Sequence, residues 1–236
     1  MSKAVDTIAA PDDLLAGHPA TAYFWGRVAG DGEVETDHLT VRTNDEAAAE
    51  TISEIVGSEF NHDRKTREYA HNTDINKTED EYTVDVRSDD LFGMSGSLGL
   101  PVDGRGSYRF GAFSDHRREL LRGLLEGCGT ICFKSSSGTV GISFVHDDAD
   151  LLELIQQLID DCPVATPYDD LSATSSGGYW FGVDDDAAAE FGMWLYDDTG
   201  ETGLFAPSRR RKLVQSLDQA TDVDFDRSQF EATEQP

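Results

Sequence analysis

Two stretches decide how this chain folds: Phe24-Trp-Gly-Arg-Val-Ala-Gly-Asp-Gly32 and Leu121-Arg-Gly-Leu-Leu-Glu-Gly-Cys-Gly129. In each, two glycines stand four apart, Gly26 and Gly30 in the first, Gly123 and Gly127 in the second, so each pair lies on one face of a helix. Glycine costs a helix about 1 kcal/mol per residue relative to alanine. Two at matching positions are tolerated where two backbones must approach closely, and the stretches therefore predict a close helix pair.

Working outward, Pro19 suits a first helical turn and Gly32 a stop, framing a helix over Ala20 to Gly30. Strand-like pieces follow at Glu33 to Thr36 and His38 to Thr43, then a helix from an Asn44 cap through Ala47, Ala48, Ile52 and Ile55 to Gly57. Arg64 to Ala70 and Glu81 to Arg87 read as a hairpin, and Asp89-Asp90 opens a short helix with Leu91 and Phe92. After a linker, Pro101 to Gly106, the order recurs. A helix with Arg117, Leu120, Leu121 and Leu124 ends at Gly127 to Gly129, and strands span Thr130 to Lys134 and Thr139 to Val145. A helix from Asp147 presents Leu151, Leu154, Ile155 and Leu158; a hairpin reaches Tyr179 to Val183, and a helix holds Ala187 to Tyr196. Gly26 and Gly123 lie 97 residues apart, and Phe92-Gly93-Met94 and Phe191-Gly192-Met193 lie 99 apart. Matching anchors around the same string of elements predict an internal duplication. The expected fold is α+β, two pseudo-symmetric αββαββα repeats over residues 15–100 and 107–217, joined by the linker 101–106 and followed by a polar tail, 218–236.

The 236 residues carry 46 acids against 19 bases, a formal net charge of −27, with 38% hydrophobic residues. That hydrophobic share argues against wholesale disorder. The acids run from Asp6 to Glu234 rather than gathering in a tail. Such a surface self-repels in dilute buffer and is screened at about 1 M salt, where the Debye length falls to about 3 Å. The composition resembles that of haloarchaeal cytoplasmic proteins. No apolar run approaches the roughly 18 residues of a membrane span, and the first residues lack a basic segment followed by an apolar one, so a cytoplasmic protein without membrane attachment is expected. Cys128, Cys132 and Cys162 are an odd number in a reducing compartment, which argues against a disulfide framework, and the Cys-x3-Cys pair, with no second pair to complete a zinc site, reads as buried thiols.

The two opening stretches resemble LAGLIDADG motifs, and the likeness extends over roughly residues 15 to 217 through the repeat order, the spacing, and Leu195-Tyr196 followed by the basic Arg209 to Lys212. The resemblance is to the LAGLIDADG homing endonucleases and their relatives. It implies motif helices packed side by side at the interface of a monomer that is an internal pseudo-dimer, with each four-stranded sheet forming half of a saddle over duplex DNA. It also implies that the acid just after each motif helix holds a divalent cation, Mg²⁺, that activates water and stabilises the leaving oxygen. Asp31 holds that position in the first half, as catalytic and metal-binding residue; the alternative is plain surface charge. Cys128 holds it in the second, and a thiol is a poor ligand for magnesium. Glu126 lies nearby, but two residues earlier, and points elsewhere on the turn. One intact position of two implies loss of coordinated double-strand cleavage, leaving a repurposed binding or accessory protein. The alternatives are a Mg²⁺-dependent nickase or endonuclease using Asp31, and a DNA-binding regulator. The chain also resembles a haloarchaeal family found with cobalamin-synthesis genes, although it contains no Asp-x-His-x-x-Gly segment.

DNA affinity begins with Lys and Arg at phosphates. The first half supplies Arg27, Arg42, Arg64, Lys65, Arg67, Lys77 and Arg87, with Lys65 and Arg67 on one strand face. Between Gly123 and Ser208, Lys134 is the only cation. Arg209, Arg210, Arg211 and Lys212 read either as a phosphate clamp at a helix start or as a solvated basic turn. Tyr179, Trp180 and Phe181 read either as a stacking platform for bases or as core. The six histidines show no His-Glu-x-x-His spacing, and no P-loop or Gly-x-Ser-x-Gly elbow is present.

Overall fold

A computed structural model of the chain describes residues 8–68, 76–87, 96–102, 106–221, 223–227 and 230. The expected helix at Asp89-Asp90 and the Phe92-Gly93-Met94 anchor lie outside the described residues, as do the middle of the 101–106 segment and the side chains of Arg67 and Lys77.

The first half opens with α1, Pro19–Asp31, whose start is set by Pro19 and by the His18 ring nitrogen accepting from the Ala20 amide. Every residue from Ala20 to Gly30 is buried, so α1 is a central helix with no solvent face. Strands β1 (Glu33–Val34), β2 (His38–Thr43), β3 (Phe60–Glu68) and β4 (Asn76–Arg87) form an antiparallel sheet in the order β1-β2-β4-β3, with α2, Glu46–Val56, packed on it. The second half repeats this plan: α3, Arg117–Cys128, precedes β5 (Gly129–Lys134), β6 (Thr139–His146), β7 (Ser172–Ala173) and β8 (Tyr179–Gly182), paired β5-β6-β8-β7. Helices α4, Ala149–Asp160, and α5, Asp185–Tyr196, accompany it. A four-residue turn of helix, α6, spans Thr199–Thr202, and α7, Pro207–Gln219, packs on β5 and β6. The two sheet orders are the same permutation, as a duplication requires.

The halves are joined through α1 and α3. A Cβ built on Gly26 would meet the Leu120 carbonyl oxygen at 2.3 Å, and one on Gly123 would meet the Tyr23 carbonyl oxygen at the same distance. Gly30 and Gly127 repeat this one turn on, each within 3.0 Å of the other's Cα by the same construction. Only hydrogen fits between these backbones.

Several boundaries differ from the sequence reading. The cap of α2 is Asp45, not Asn44, and that of α4 is Asp148, not Asp147; in both pairs the second polar residue is the one whose side chain meets a backbone amide of the first turn. The buried stripe of α4 is Leu151, Leu152, Ile155 and Ile159, while Leu154 and Leu158 flank it. The β3–β4 ladder is longer than expected because its outer part alternates charges rather than apolar residues: Phe60 pairs with Val84 and Glu68 with Asn76. The expected polar tail is anchored where it is described. The Thr221 amide donates to the Gly138 carbonyl at 2.9 Å, and Phe230 is buried. The flanks of the expected linker are also tied down, Ser107 N–H to Gly99 O at 2.8 Å and Arg109 N–H to Leu98 O at 2.9 Å.

Candidate functional site

The ends of the two motif helices meet at the pseudo-two-fold axis, and what they bring together is not a pair of acids. Asp31, the last residue of α1, receives a 2.9 Å ion pair from Arg27 one turn earlier. Arg27 is buried, and its second terminal nitrogen donates to the Glu126 carbonyl across the interface at 3.1 Å. Desolvation at the interface raises the pKa of Asp31 while Arg27 and Arg209 pull it back, and 30% of the side chain still meets solvent, which tempers the burial effect. Opposite stands Cys128. Its thiol is turned into its own helix toward the Leu124 carbonyl, 3.4 Å away, and burial together with the Asp31 charge pushes it up to about 12. At neutral pH it is an uncharged thiol.

Glu126 does point elsewhere: its carboxylate is buried and accepts from the Tyr23 hydroxyl at 2.7 Å, the Tyr196 hydroxyl at 3.0 Å and the Ala206 amide at 2.9 Å. Burial raises its pKa, opposed by Arg27 and these donors. The same burial and the adjacent Glu126 push both tyrosines well up, so they stay donors. Ala206 is the cap of α7 and has no side-chain acceptor of its own; Glu126 serves the Ala206 amide, and Asp45 takes the Ser208 amide at 2.7 Å. Arg122, fully buried, donates to the carbonyls of Leu195 and Leu204 and pairs with Asp198. The sequence reading missed Arg27, Arg122 and Glu126 as a connected polar core. The one local signal was charge inside an otherwise apolar motif helix.

Beside Asp31 a cleft of about 300 Å³ opens between the first sheet and the start of α7. Arg27, Arg42, Lys65 and Arg209 line it together with five acids, Asp31, Glu79, Asp80 and Glu81 of β4, and Glu126. Arg42 pairs with Glu33 at 2.6 Å and Lys65 with Glu81 at 2.5 Å; both stand on the open face of the first sheet, which Asp63, Glu81 and Asp85 share. Arg64 faces the other way, beside His62, with both engaged by Asp80. Arg67 pairs with Lys77 in the β3–β4 ladder. Of the four basic residues at the start of α7, Arg209 reaches into the cleft. Arg210 is buried, over the Phe205 ring at 4.1 Å and donating to Thr199, so it is no phosphate contact, while Arg211 and Lys212 are exposed. Four consecutive helical residues turn through more than one face, so one of them had to meet the core. On the second sheet, Phe181 is core, stacked on Phe144 at 5.2 Å, whereas Trp180 and its partner Val145 face solvent at 38% and 47% exposure.

These residues do not fit a divalent cation at the motif ends. The first carboxylate is neutralised by a buried guanidinium, the second donor is a protonated thiol, and the nearest other acid is spent on two tyrosines and a helix start. Hard cations want several free oxygens. Among the described residues no group of three His, Cys, Asp or Glu side chains is arranged for metal binding, and no helix is long and apolar enough to cross a membrane.

The LAGLIDADG_4 family profile, described as "Putative archaeal homing endonuclease", matches residues 1–223. Full-length DUF199/WhiA from Thermatoga maritima superposes with a TM-score of 0.50 at 10% identity, over 93% of this chain and 66% of that one. The chain thus spans just under two thirds of that protein's length. The homing endonuclease I-WcaI, bound to its DNA recognition sequence, gives 0.54 at 11% identity, over 84% of this chain and 87% of that one. A mesophilic variant of the homing endonuclease I-DmoI gives 0.47 at 13% identity, over 76% and 91%. No curated protein matches. At such identities the likeness of the structures shows the fold alone.

Proposed function

The chain belongs to the LAGLIDADG_4 family, and we propose that within it this member binds duplex DNA without cutting both strands, as an accessory or regulatory protein. One observation carries the reading: the two positions that would each present a free acid present an Arg27–Asp31 ion pair and a Cys128 thiol. Coordinated cleavage needs two competent centres, and neither side offers free oxygens. The nickase alternative is weaker for the same reason, since Asp31 is committed to Arg27.

Support for binding lies in the distribution of cations. In a chain of net charge −27, Arg42 and Lys65 stand among Asp63, Glu81 and Asp85 on the open face of the first sheet, and Arg209, Arg211 and Lys212 add three cations at the start of α7. The second sheet offers Lys134, paired with Asp185, and exposed Trp180. DNA contact is therefore asymmetric, made by the first half and α7. The test is a gel shift over a salt series with duplex DNA recovered from the protein at its native salt. Arg42→Glu and Lys65→Glu should each weaken binding and lower the slope of log K against log salt by about 0.9 per phosphate contact removed. Wild type that binds no duplex would refute the reading, as would double-strand cutting with Mg²⁺. A role alongside cobalamin synthesis rests on the family resemblance; a deletion strain with unchanged corrinoid content would remove it.

A further inference from the structure

The open face of the second sheet is unlike the rest of this surface. Its four strands, β5 to β8, contain not one Asp or Glu, in a chain with 46 acids in 236 residues. The first sheet, by contrast, carries acids along β3 and β4, with Asp63, Glu81 and Asp85 on its open face. By alternation and register, β5 turns Thr130, Cys132 and Lys134 outward, β6 turns Ser143 and Val145, and β8 turns Trp180. The Lys134 charge is met by Asp185. Val145 and Trp180 are the only large apolar side chains exposed among the described residues, and they are direct cross-strand partners. Acids stand at the border of the face instead. The Asp169 carboxylate reaches over Gly182 beside Trp180, 3.1 Å from where a Cβ would lie, Asp170 is exposed next to β7, and Asp147 lies against Gly178.

An apolar patch with an aromatic anchor and a charged border is the pattern of a protein contact. The sign of the border selects the occupant. Phosphates would meet Asp169 and Asp170, and a second copy of this chain would bring the same carboxylates to the same border. A segment with Lys or Arg beside its apolar residues matches both the patch and the rim. Neighbouring strands lie about 4.8 Å apart, so β5 to β8 spans about 10 Å, the width of one helix. We propose that the open face of the second sheet docks a basic amphipathic helix of another protein, its apolar stripe on Val145 and Trp180 and its cations on the Asp169 and Asp170 border. Docking there is independent of DNA binding, which the first half and α7 carry, and it gives the two pseudo-symmetric sheets different partners.

The test uses the full chain in molar KCl, where only charges in contact discriminate. The probes are a synthetic amphipathic helical peptide of Leu and Lys and a counterpart in which Glu replaces Lys. Binding is read by calorimetry and by the rate of thiol labelling at Cys132, an exposed cysteine on this face. The Lys peptide should bind and slow Cys132 labelling severalfold. Trp180→Ser should weaken its binding about tenfold or more, as loss of an aromatic anchor does, with duplex binding and the melting curve unchanged. Val145→Lys, which sets a like charge against the peptide, should weaken it as well. No binding of the Lys peptide, equal binding of the Glu peptide, or binding untouched by both variants would overturn the proposal. So would a single-stranded oligonucleotide that protects Cys132, which assigns the face to nucleic acid, or self-association by light scattering that Trp180→Ser abolishes, which assigns it to a second copy. Loss of duplex binding in Trp180→Ser would overturn it too, by returning the face to DNA.

Discussion

Gly26→Ala is the sharpest test of the helix pair at the centre of the molecule. The added Cβ would stand 2.3 Å from the Leu120 carbonyl oxygen and 3.0 Å from the Gly123 Cα and Leu124 N. All three are backbone atoms, so no side chain can swing aside, and α1 and α3 must part by about 1 Å to restore ordinary contact. Overpacking of this kind costs about 3 kcal/mol when the surroundings cannot yield. Alanine returns about 1 kcal/mol of helix propensity. The net loss is about 2 kcal/mol, which for a chain of this size lowers Tm by about 4–8 °C. The control is Gly111→Ala, where the new Cβ meets nothing within 4 Å; it should change stability by no more than about 0.5 kcal/mol. Circular dichroism melting in molar KCl reads both. A Gly26→Ala protein as stable as wild type would refute the close crossing.

Thiol labelling at pH 8 should find one fast cysteine, exposed Cys132, and two slow ones, because burial pushes Cys128 and Cys162 up to about 12 and leaves them protonated; equal rates for all three would contradict this. Asp45→Ala removes the acceptor for first-turn amides of both α2 and α7 and should cost about 1–3 kcal/mol in a denaturant melt. Glu126, with a pKa raised in the fold, favours its protonated form there, so its contribution to stability is largest below its unfolded pKa and falls as pH rises from that value through the folded one. Melts of wild type against Glu126→Gln should show that pH dependence in wild type only. Arg122→Leu strips the guanidinium from two buried carbonyls and leaves Asp198 only its longer 3.8 Å pair with Arg118, and should cost about 3–5 kcal/mol.

The fold was legible because its deciding features are local or repeated. Glycines four apart state a helix face, the alternation in His38 to Thr43 states a half-buried strand, and the recurrence of both after about a hundred residues states the duplication. The outer β3–β4 ribbon was not, since alternating charges carry no inside or outside. The polar core was illegible for a different reason: Glu126 draws its donors from Tyr23, Tyr196 and Ala206, at 103, 70 and 80 residues' separation. Arg27 looked like one of seven first-half cations, and only its burial against Asp31 and the Glu126 carbonyl distinguishes it. At the motif ends, sequence alone exposed the missing acid at Cys128; that Asp31 is already neutralised needed three dimensions.

At the motif-helix ends the proposed reading leaves no free oxygens for a cation, with Asp31 paired to Arg27 and Cys128 turned into its own helix. Anomalous diffraction from crystals of the full chain soaked in Mn²⁺ tests it most directly. No manganese peak is expected between Asp31 and Cys128, with the Arg27–Asp31 pair intact. A peak bonded to Asp31, with Arg27 displaced, would contradict it.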